Sequence, residues 1–489
     1  NTDGILDGAS VTLTATASDP NVGTELFYRF DFGNGLSTSW TTNSSVAHTY
    51  TTPGRYVVTV FVSDGIDIVS TTMTQIIYNA PTALPPSISS EIAYDTTRNK
   101  VWVVLPDGDD HDNNTGTAAQ GTVVRFDATS YSVNNRLTIA ANSEPVALAM
   151  RPGNAEVWVA NKRAGTVSII DANTPGVLFT LDCGRGSMPV GVCFAPDGTA
   201  AFVACEGLEG VLKFYPATRT KTGSVALSLT EDGVVPRGIA CSSNSTRLFV
   251  TRFRSPDARG EVREYLPSDI NLSTNATPVR TFNINRDTTT VDSASAARGV
   301  PNYLSSVVIS PDGLRAWVNA KKDNISRGSA RDGQPLTHES TVRSLIAQLR
   351  LNTNTEVATD RIDLDNTGMT VAGCYSPRGD LFFAAAIGNE SVAVIDTATR
   401  NTLPAISTAT SGQLFGFAPS GLCVSPDGTK LYVHNFLERR VRVFNISNLT
   451  SGTSSTVNQL GTVILPSIEP LTANILLGKK LFYNSNDPR

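Results

Sequence analysis

The sequence predicts an all-β protein with two domains and a short helical C-terminal tail. Short runs of alternating apolar and polar residues fill most of the 489 residues, and Gly, Pro, Asn and Asp separate these runs. One unit of such runs recurs seven times after residue 87. A proline-rich stretch, residues 79–86, divides these repeats from the first eighty residues, which follow a different pattern.

The first eighty residues predict a small antiparallel sandwich. The stretches Val11–Pro20, Leu26–Gly35 and His48–Gly65 alternate apolar and polar residues, and turn signals lie between them. This alternation predicts that one face of each strand is buried and the other is wet. Residues 81–87 then form a Pro-rich linker.

Two sequence motifs in this part resemble the PKD domain, an immunoglobulin-like module of extracellular proteins. They are Phe30–Gly35 (FDFGNG) and the later pattern HTY…PGRYVV over His48–Val58. The resemblance implies that residues 1–80 form a PKD-like β-sandwich, which serves as a spacer or contacts carbohydrate or protein. We expect Trp40 in its core.

The rest of the chain repeats one unit: an apolar run, a tight turn like Ser-Pro-Asp-Gly, a run with a central aromatic residue, a loop and a third run. A fourth, outer run follows most copies. The aromatic position is occupied by Trp102, Trp158, Phe202, Phe249, Trp317, Phe382 and Tyr432. Four strands repeated every ~40–50 residues predict a seven-bladed β-propeller over residues 88–467, because one blade cannot bury both of its faces alone.

Two stretches of these repeats resemble the YVTN family, a family of seven-bladed propellers in secreted and surface proteins. They are Val157–Asp171 (VWVANKRAGTVSIID) and Ser425–Val433 (SPDGTKLYV). The resemblance implies an extracytoplasmic location: extracellular, at the cell surface or in the periplasm. It does not specify the function, because propellers include enzymes, lectins and scaffolds.

Composition excludes two classes of partner. The net charge of -5 gives no electrostatic reason to expect nucleic-acid binding, and no run of 18 apolar residues could span a membrane. The partner that we expect is a protein or a glycan at the propeller face. The chain contains no G-x-S-x-G, H-E-x-x-H or P-loop motif, so we predict no catalytic residues.

Loops after the second and fourth strands of each blade should gather on one face, around the central channel. Their basic residues predict a rim that attracts an acidic partner or an anionic ligand, with ordinary solvated loops as the alternative. These residues are Lys162, Arg163, Arg252, Arg254, Lys321, Lys322, Arg439 and Arg440.

The loop Pro106–Gly116 is the most acidic stretch of the chain. Its carboxylates have the close spacing that a calcium loop needs, but no Glu follows at the twelfth position, so it is not an EF-hand. A hydrated insertion is the alternative. The candidate calcium ligands are Asp107, Asp109, Asp110 and Asp112.

Cys183 and Cys205 should end strands of neighbouring blades on the same face. They are candidates for a disulfide, and two free thiols are the alternative. A disulfide would support an oxidising compartment.

The tail, residues 468–489, resembles the opening of the di-haem cytochrome c peroxidase family, which includes methylamine-utilisation enzymes. The matching positions are Gly478, Lys479, Leu481, Phe482, Asp487 and Arg489. The resemblance implies that a haem c domain follows, in which any peroxidase activity would reside. The 489 residues contain no C-x-x-C-H, so no haem c is expected within them.

Together these features predict an extracytoplasmic binding or scaffold protein. We expect it to be the non-catalytic N-terminal part of a larger di-haem redox protein. The alternatives are a stand-alone cell-surface adhesion or structural protein and a lactonase-like propeller hydrolase.

Overall fold

A computed structural model of the chain describes residues 4–8, 10–21, 23–110, 120–227, 233–273, 275–365, 367–409, 417–466 and 472–482. Within these ranges about half of the residues are β-strand and few are helical, and the predicted all-β class is confirmed.

The N-terminal sandwich packs a four-stranded sheet against a two-stranded one. The first sheet has the order β1-β6-β5-β3, with β1 parallel to the end of β6, and the second pairs β2 with β4. Its strands are β1 (Ile5–Leu6), β2 (Ser10–Thr14), β3 (Phe27–Asp31), β4 (Ser45–Thr49), β5 (Gly54–Ser63) and β6 (Ile68–Tyr78). Leu13, Phe30, Tyr50 and Val58 are buried between the sheets.

Local geometry explains the FDFGNG motif. Gly33 has a φ of 74°, and a Cβ atom there would lie 2.5 Å from the carbonyl oxygen of Val57, so only glycine fits. The Tyr50 hydroxyl donates a hydrogen bond to the Phe32 carbonyl over 3.0 Å, which holds the turn. Trp40 is 41% exposed, so the prediction that it belongs to the core is wrong. Tyr28 and Phe30, on the neighbouring strand, fill the interior instead.

Seven sheets of consecutive strands follow in the described residues, which agrees with the predicted number of blades. Blades 1 to 4 comprise β7 (Ser87–Ile88), β8 (Ile92–Asp95), β9 (Lys100–Asp110), β10 (Gln120–Asp127), β11 (Val133–Ala141), β12 (Pro145–Met150), β13 (Glu156–Asn161), β14 (Thr166–Asp171), β15 (Val177–Asp182), β16 (Pro189–Phe194), β17 (Ala201–Cys205), β18 (Gly210–Tyr215), β19 (Thr220–Ala226), β20 (Pro236–Cys241), β21 (Leu248–Arg252), β22 (Arg259–Tyr265) and β23 (Arg280–Asn285).

Blades 5 to 7 comprise β24 (Val300–Ile309), β25 (Arg315–Asp323), β26 (Val342–Arg350), β27 (Thr355–Glu356), β28 (Ile362–Leu364), β29 (Thr370–Tyr375), β30 (Leu381–Ala386), β31 (Ser391–Asp396), β32 (Thr402–Ser407), β33 (Pro419–Val424), β34 (Lys430–Asn435), β35 (Arg440–Asn445) and β36 (Asn458–Ile464). The helices are α1 (His338–Thr341), a 3-10 turn (Ala358–Asp360), α2 (Ser447–Ser451) and α3 (Ala473–Phe482).

The aromatic position of each repeat lies on the second strand of its blade, and all seven side chains are fully buried. The rings pack between neighbouring blades: Trp158 lies edge-on to Phe194, with centroids 5.2 Å apart, and Trp317 lies 4.7 Å from Phe382. One large ring per blade therefore fills the wedge-shaped gap to the next blade, and this explains why the aromatic position recurs.

The ring closes without an exchange of strands between the first and last blades. Blade 1 is formed by residues 92–141 and blade 7 by residues 419–464. Side chains join them instead. The Arg136 guanidinium donates to the carbonyls of Leu465 (2.8 Å) and Ile464 (3.2 Å), and the Tyr432 hydroxyl donates to that of Ala128 (2.9 Å).

The segment after the linker runs through the central channel. Strand β7 pairs with β20 of blade 4, and Ser90 forms a bridge with Leu148 of blade 2. The Ser89 hydroxyl accepts a hydrogen bond from the backbone of Val192 in blade 3 (3.0 Å). These residues tie three inner strands together and divide the channel into two cavities, of about 650 Å³ and about 350 Å³.

The sandwich docks on the face formed by the tight turns between first and second strands. Arg55 forms an ion pair with Asp380 (2.6 Å) and donates to the Leu449 carbonyl (2.7 Å). The Asn79 amide donates to Asp312 (2.9 Å). The opposite face carries the loops after second and fourth strands.

Candidate binding site at the mouth of the propeller channel

The 350 Å³ cavity opens on the face opposite the sandwich. Its floor is the channel segment Ser89–Glu91, and its walls are the first residues of the inner strands. We refer to this opening as the mouth. A concave site with an apolar wall and a few polar groups is the usual form of a binding site.

At the mouth, β-bulges near the beginning of the inner strands direct individual side chains into the cavity. In five inner strands the pairing register shifts directly after the first residue, at Pro145, Pro189, Pro236, Thr370 and Pro419. Such a bulge leaves the following residue unpaired and redirects it. The residues that follow line the cavity: Val146, Val190, Arg237, Val371 and Ser420.

Sequence reasoning missed these five residues, although a signal was present. Each follows a Pro or Thr and precedes a Gly or Ala, so the pattern P-x-G/A recurs at the start of the repeats. The small residue has a physical cause. At Gly238, a Cβ atom would lie 2.7 Å from Cα of Ser306 on the neighbouring inner strand.

Charged side chains and two stacked aromatic rings form a continuous row along one wall of the mouth. Lys162 pairs with Glu206 (3.0 Å), which also pairs with Arg237. The Arg237 guanidinium lies 4.0 Å over the Phe253 ring. Phe253 stacks on Tyr303, with centroids 4.6 Å apart, and the Lys321 ammonium lies 3.9 Å over Tyr303. We call this set the ladder: Lys162, Glu206, Arg237, Phe253, Tyr303 and Lys321.

The ladder spans blades 2 to 5, and hydrogen bonds hold the backbone of its central ring, Tyr303. Tyr303 adopts a φ of 51°, which a bulky residue rarely tolerates. The side chain of Asn302 holds this backbone, because its oxygen accepts from the amides of Tyr303 and Ser255, each over 2.9 Å. Stacked cations and rings attract one another, so the wall is preformed. Each ring has a partner on both faces, which leaves only the ring edges for a ligand.

A half-buried carboxylate, that of Glu91, lies at the floor of the mouth. One oxygen of Glu91 accepts from the Ser420 hydroxyl over 2.6 Å and lies 2.8 Å from Nδ1 of the buried His434. The carboxylate separates the hydroxyl from the imidazole. The Ser420 hydroxyl therefore contacts Glu91 and not His434, whereas in a Ser–His nucleophile the hydroxyl bonds to the imidazole.

Four of the predicted rim residues lie in blades 2 to 4. Lys162 belongs to the ladder, and Arg163 is exposed and lies 3.5 Å from Glu144. Arg252 is buried and pairs with Glu261 over 3.4 Å. Arg254 is exposed, and its carbonyl accepts from Arg252.

The other four lie in blades 5 and 7. Lys321 belongs to the ladder and also pairs with Asp323 (3.1 Å), while the buried Lys322 pairs with Asp363 (2.7 Å). Arg439 is buried, and Arg440 lies 3.6 Å from Glu438. Carboxylates therefore neutralise most of the predicted rim. Of the eight residues, the ladder contains Lys162 and Lys321. That the rim binds a partner stays a prediction.

The comparison with protein families decides the identity of the sandwich. Residues 3–77 match the PKD domain. A sequence comparison with curated proteins finds no match. The resemblances of the repeats to the YVTN family and of the tail to cytochrome c peroxidases stay predictions.

The fold that follows the PKD domain resembles solved propellers. Kuenenia stuttgartiensis hydrazine synthase is 17% identical with a TM-score of 0.55, over 75% of this chain and 97% of that one. A protein from Lactobacillus plantarum is 18% identical with a TM-score of 0.50, over 75% and 96%. At these identities the likeness concerns the fold alone.

Cys183 and Cys205 lie in one core cluster between blades 2 and 3. Both are free thiols in the structure. A hydrogen bond with Cys183 and burial both raise the pKa of the Cys205 thiol well above its usual value. The structure thus brings the two residues together, and a disulfide between them stays a prediction.

The candidate calcium loop lies largely outside the described residues. Asp107, Asp109 and Asp110 belong to the end of β9, and Asp112 is not among the residues described. The calcium site therefore stays a prediction. Elsewhere in the described chain, no three His, Cys, Asp or Glu side chains are grouped as a metal site requires.

The tail helix α3 lies on the mouth face. The Lys479 ammonium is 4.6 Å over the ring of Phe436, in the loop after β34. Ile475 and Phe482 are 54% and 84% exposed. Asp487 and Arg489 lie outside the described residues. Among the described helices, α3 included, none has the length and apolar character needed to cross a membrane.

Proposed function

We propose that this chain is an extracytoplasmic binding and scaffold protein that holds a partner at the mouth of its propeller. The observation that carries the proposal is the mouth itself: a preformed cavity of about 350 Å³ with an apolar side and a charged wall. The PKD domain lies on the opposite face, and none of its described residues lines the mouth.

The chemistry of the mouth favours a protein partner over a glycan. Sugars bind proteins by stacking on aromatic faces, but the faces of Phe253 and Tyr303 are already covered by Arg237, Lys321 and one another. Val146, Val190 and Val371 offer an apolar surface beside these cations. A partner loop with an aliphatic side chain next to a carboxylate would satisfy both surfaces.

Crosslinking in the native cell envelope tests this proposal. A photo-crosslinking amino acid at Val146 should capture one defined protein, whereas the same probe at Phe179, on the outer strand β15, should not. The variant Arg237→Gln should weaken capture, because it removes a ladder charge. The matched variant Arg254→Gln removes an exposed charge outside the ladder and should leave capture unchanged. Equal capture at both probe positions would contradict the proposal.

We also propose that the native protein carries a haem c domain after α3, as the tail motif implies. Such a domain would begin beside the mouth, because α3 lies on that face. The propeller would then position partners of the haem domain. Haem staining of the native protein after denaturing electrophoresis tests this. A native protein without haem would favour the stand-alone adhesion alternative.

A lactonase-like hydrolase remains the other alternative. Glu206 lies at the mouth, but Asn319 is fully buried and donates to the Ser306 hydroxyl over 2.9 Å. Turnover of lactone or ester substrates that Glu206→Gln abolishes would favour this alternative over the binding protein.

A further inference from the structure

Strand β6 of the PKD domain has a free edge. On one side it pairs with β5 along its whole length, from Ile68 to Ile77. On the other side its strand pairing is with β1 and involves only Ile77 and Tyr78. For Ile68–Met73, the described residues supply no backbone partner on this outer side. A row of unpaired N–H and C=O groups is a template for another strand.

The inner face beside this edge is incomplete. The register places Val69, Thr71 and Met73 opposite Val62, Val60 and Val58, so all six side chains point towards the interior of the sandwich. Val58 and Val62 are buried, but Val69 is 66% exposed. The cause is the short opposite sheet, because β2 ends at Thr14 and the chain continues without strand structure.

An apolar cleft of about 300 Å³ results. Leu13, Ala15 and Ala17 border it on one side, and Val60, Val69 and Met73 on the other. A strand added to the edge of β6 would direct every second side chain into this cleft. Backbone hydrogen bonds together with pockets for alternate side chains are the elements of β-strand addition.

The edge lacks the features that protect sheet edges in other proteins. Ile68–Met73 reads IVSTTM, without a charged residue or proline. Ile68 and Val69 are 62% and 66% exposed. A long, uncharged, exposed edge is usually a liability, and a protein keeps one where a partner covers it.

Charge indicates the kind of strand that fits. Residues 1–80 contain seven Asp or Glu and two Arg, a net charge of -5, which equals that of the whole chain. Arg55 is already paired with Asp380. Asp64 and Asp67 lie in the turn that leads into β6, and Glu25 lies near them, because Phe27 of β3 pairs with Ser63. The start of the edge is therefore acidic.

We propose that the edge of β6 over Ile68–Met73 is a docking site for an extended, positively charged peptide segment of a partner protein. The segment adds a strand to the sheet and places alternate aliphatic side chains in the cleft. Its basic residues face the acidic end of the PKD domain. This site is separate from the mouth, and neither proposal depends on the other.

Fluorescence anisotropy with the complete chain tests the proposal. The probe is a labelled ten-residue peptide of alternating Lys and Val, capped at both ends. We expect saturable binding that weakens with salt, and no binding of the Glu–Val peptide of the same length. A Lys–Val peptide with N-methyl groups on every second residue, on the edge that faces β6, should not bind.

Two variants locate the site. Val69→Gln should weaken binding about tenfold, because it replaces an aliphatic group in the cleft. Ile66→Gln is the matched control, since Ile66 is 89% exposed in the adjacent turn and does not line the cleft. Both sites are exposed, so both variants should fold, as circular dichroism will verify.

Three results would overturn the proposal. The first is equal binding of the N-methylated and the unmethylated Lys–Val peptides. That result would show that charge attraction alone binds the peptide, without strand pairing. The second is unchanged binding by Val69→Gln. The third is a dimer in light scattering that Val69→Gln dissolves, which would make a second copy of this chain the occupant of the edge.

Discussion

The ion pair between Lys162 and Glu206 joins two neighbouring blades at the mouth. The chain order does not bring them close, because Lys162 follows β13 and Glu206 follows β17. The basic residues of the rim could be predicted from their loops, but their carboxylate partners could not. The same holds for Lys322 and Asp363. By contrast, the buried aromatic positions were predictable, because packing demands one at the same register of every repeat.

The cysteine pair gives the first prediction at this scale. In an oxidising compartment we expect Cys183 and Cys205 to lose two hydrogen atoms to an oxidant such as glutathione disulfide and form a disulfide. The high pKa of the buried Cys205 thiol makes the reaction slow in the folded protein, so the bridge should form during folding. It should raise the free energy of unfolding by about 3 kcal/mol.

Thiol alkylation after denaturation, read by mass spectrometry, checks this prediction. Protein refolded with glutathione disulfide should leave four cysteines alkylated instead of all six of the chain's cysteines. Cys183→Ala should abolish the difference, and Cys241→Ala, at another buried cysteine, should preserve the bridge. Alkylation of both residues after oxidative refolding would contradict it.

Asp287 gives a pH-dependent prediction. Burial alone would raise its pKa, but hydrogen bonds from Thr290 and Thr289 and the charge of Lys322 lower it to about 2. The folded pKa lies below the unfolded value of 3.8, so this group stabilises the protein above pH 4 and loses that effect as the pH falls towards 2. Because the Asp287 carboxylate is partly solvated and water screens its contacts, Asp287→Asn should cost only about 1 kcal/mol at pH 7. Urea unfolding at pH 7 and at low pH checks this, and the difference between variant and wild type should shrink at low pH. A constant difference would contradict the ionic origin.

At the scale of elements, the sequence repeats predicted the second strands and the tight turns of the blades. They did not predict the segment that runs through the channel. Strand β7 has two residues, Ser87–Ile88, and no periodicity marks so short an element. Its pairing with β20 depends on the closed ring, because the inner strands surround it only after the blades assemble. The bulges at the mouth could have been predicted from the recurrent P-x-G/A pattern.

Ring closure gives the prediction for this scale. Arg136→Ala should lower the free energy of unfolding by about 1–2 kcal/mol, because two carbonyls of the last blade lose a charged donor. Hydrogen exchange should accelerate in β11 and β36, which this side chain joins. Arg185→Ala is the matched control, since Arg185 is an exposed arginine in the turn between blades 2 and 3. Faster exchange throughout the propeller, without a focus on blades 1 and 7, would contradict the role of Arg136.

At the scale of the whole molecule, the two domains were predictable from their different patterns, but their contact was not. The sequence predicts a Pro-rich linker over residues 81–87, and in the structure the Thr82 amide donates to the Pro311 carbonyl over 2.8 Å. The linker therefore lies against the propeller. The PKD domain contacts blades 6 and 7 through Arg55, whose partner Asp380 is 325 residues away in sequence. Contacts between side chains so far apart leave no local signature.

The ion pair of Arg55 and Asp380 should couple the unfolding of the two domains. Both side chains are nearly buried, at 11% and 3% exposure, and Asp380 also accepts from the Ser376 hydroxyl over 2.7 Å. Arg55→Ala would leave a buried carboxylate without its counter-charge, at a cost of about 3 kcal/mol. We expect calorimetry to show one transition in the wild type and two in the variant, because the PKD domain then melts alone.

Asp380→Asn combined with Arg55→Ala should recover part of the lost stability, since the unpaired charge is gone. Arg29→Ala removes an arginine of the same domain away from this contact and should keep a single transition. Two transitions in the wild type would mean that the domains unfold independently despite the contact.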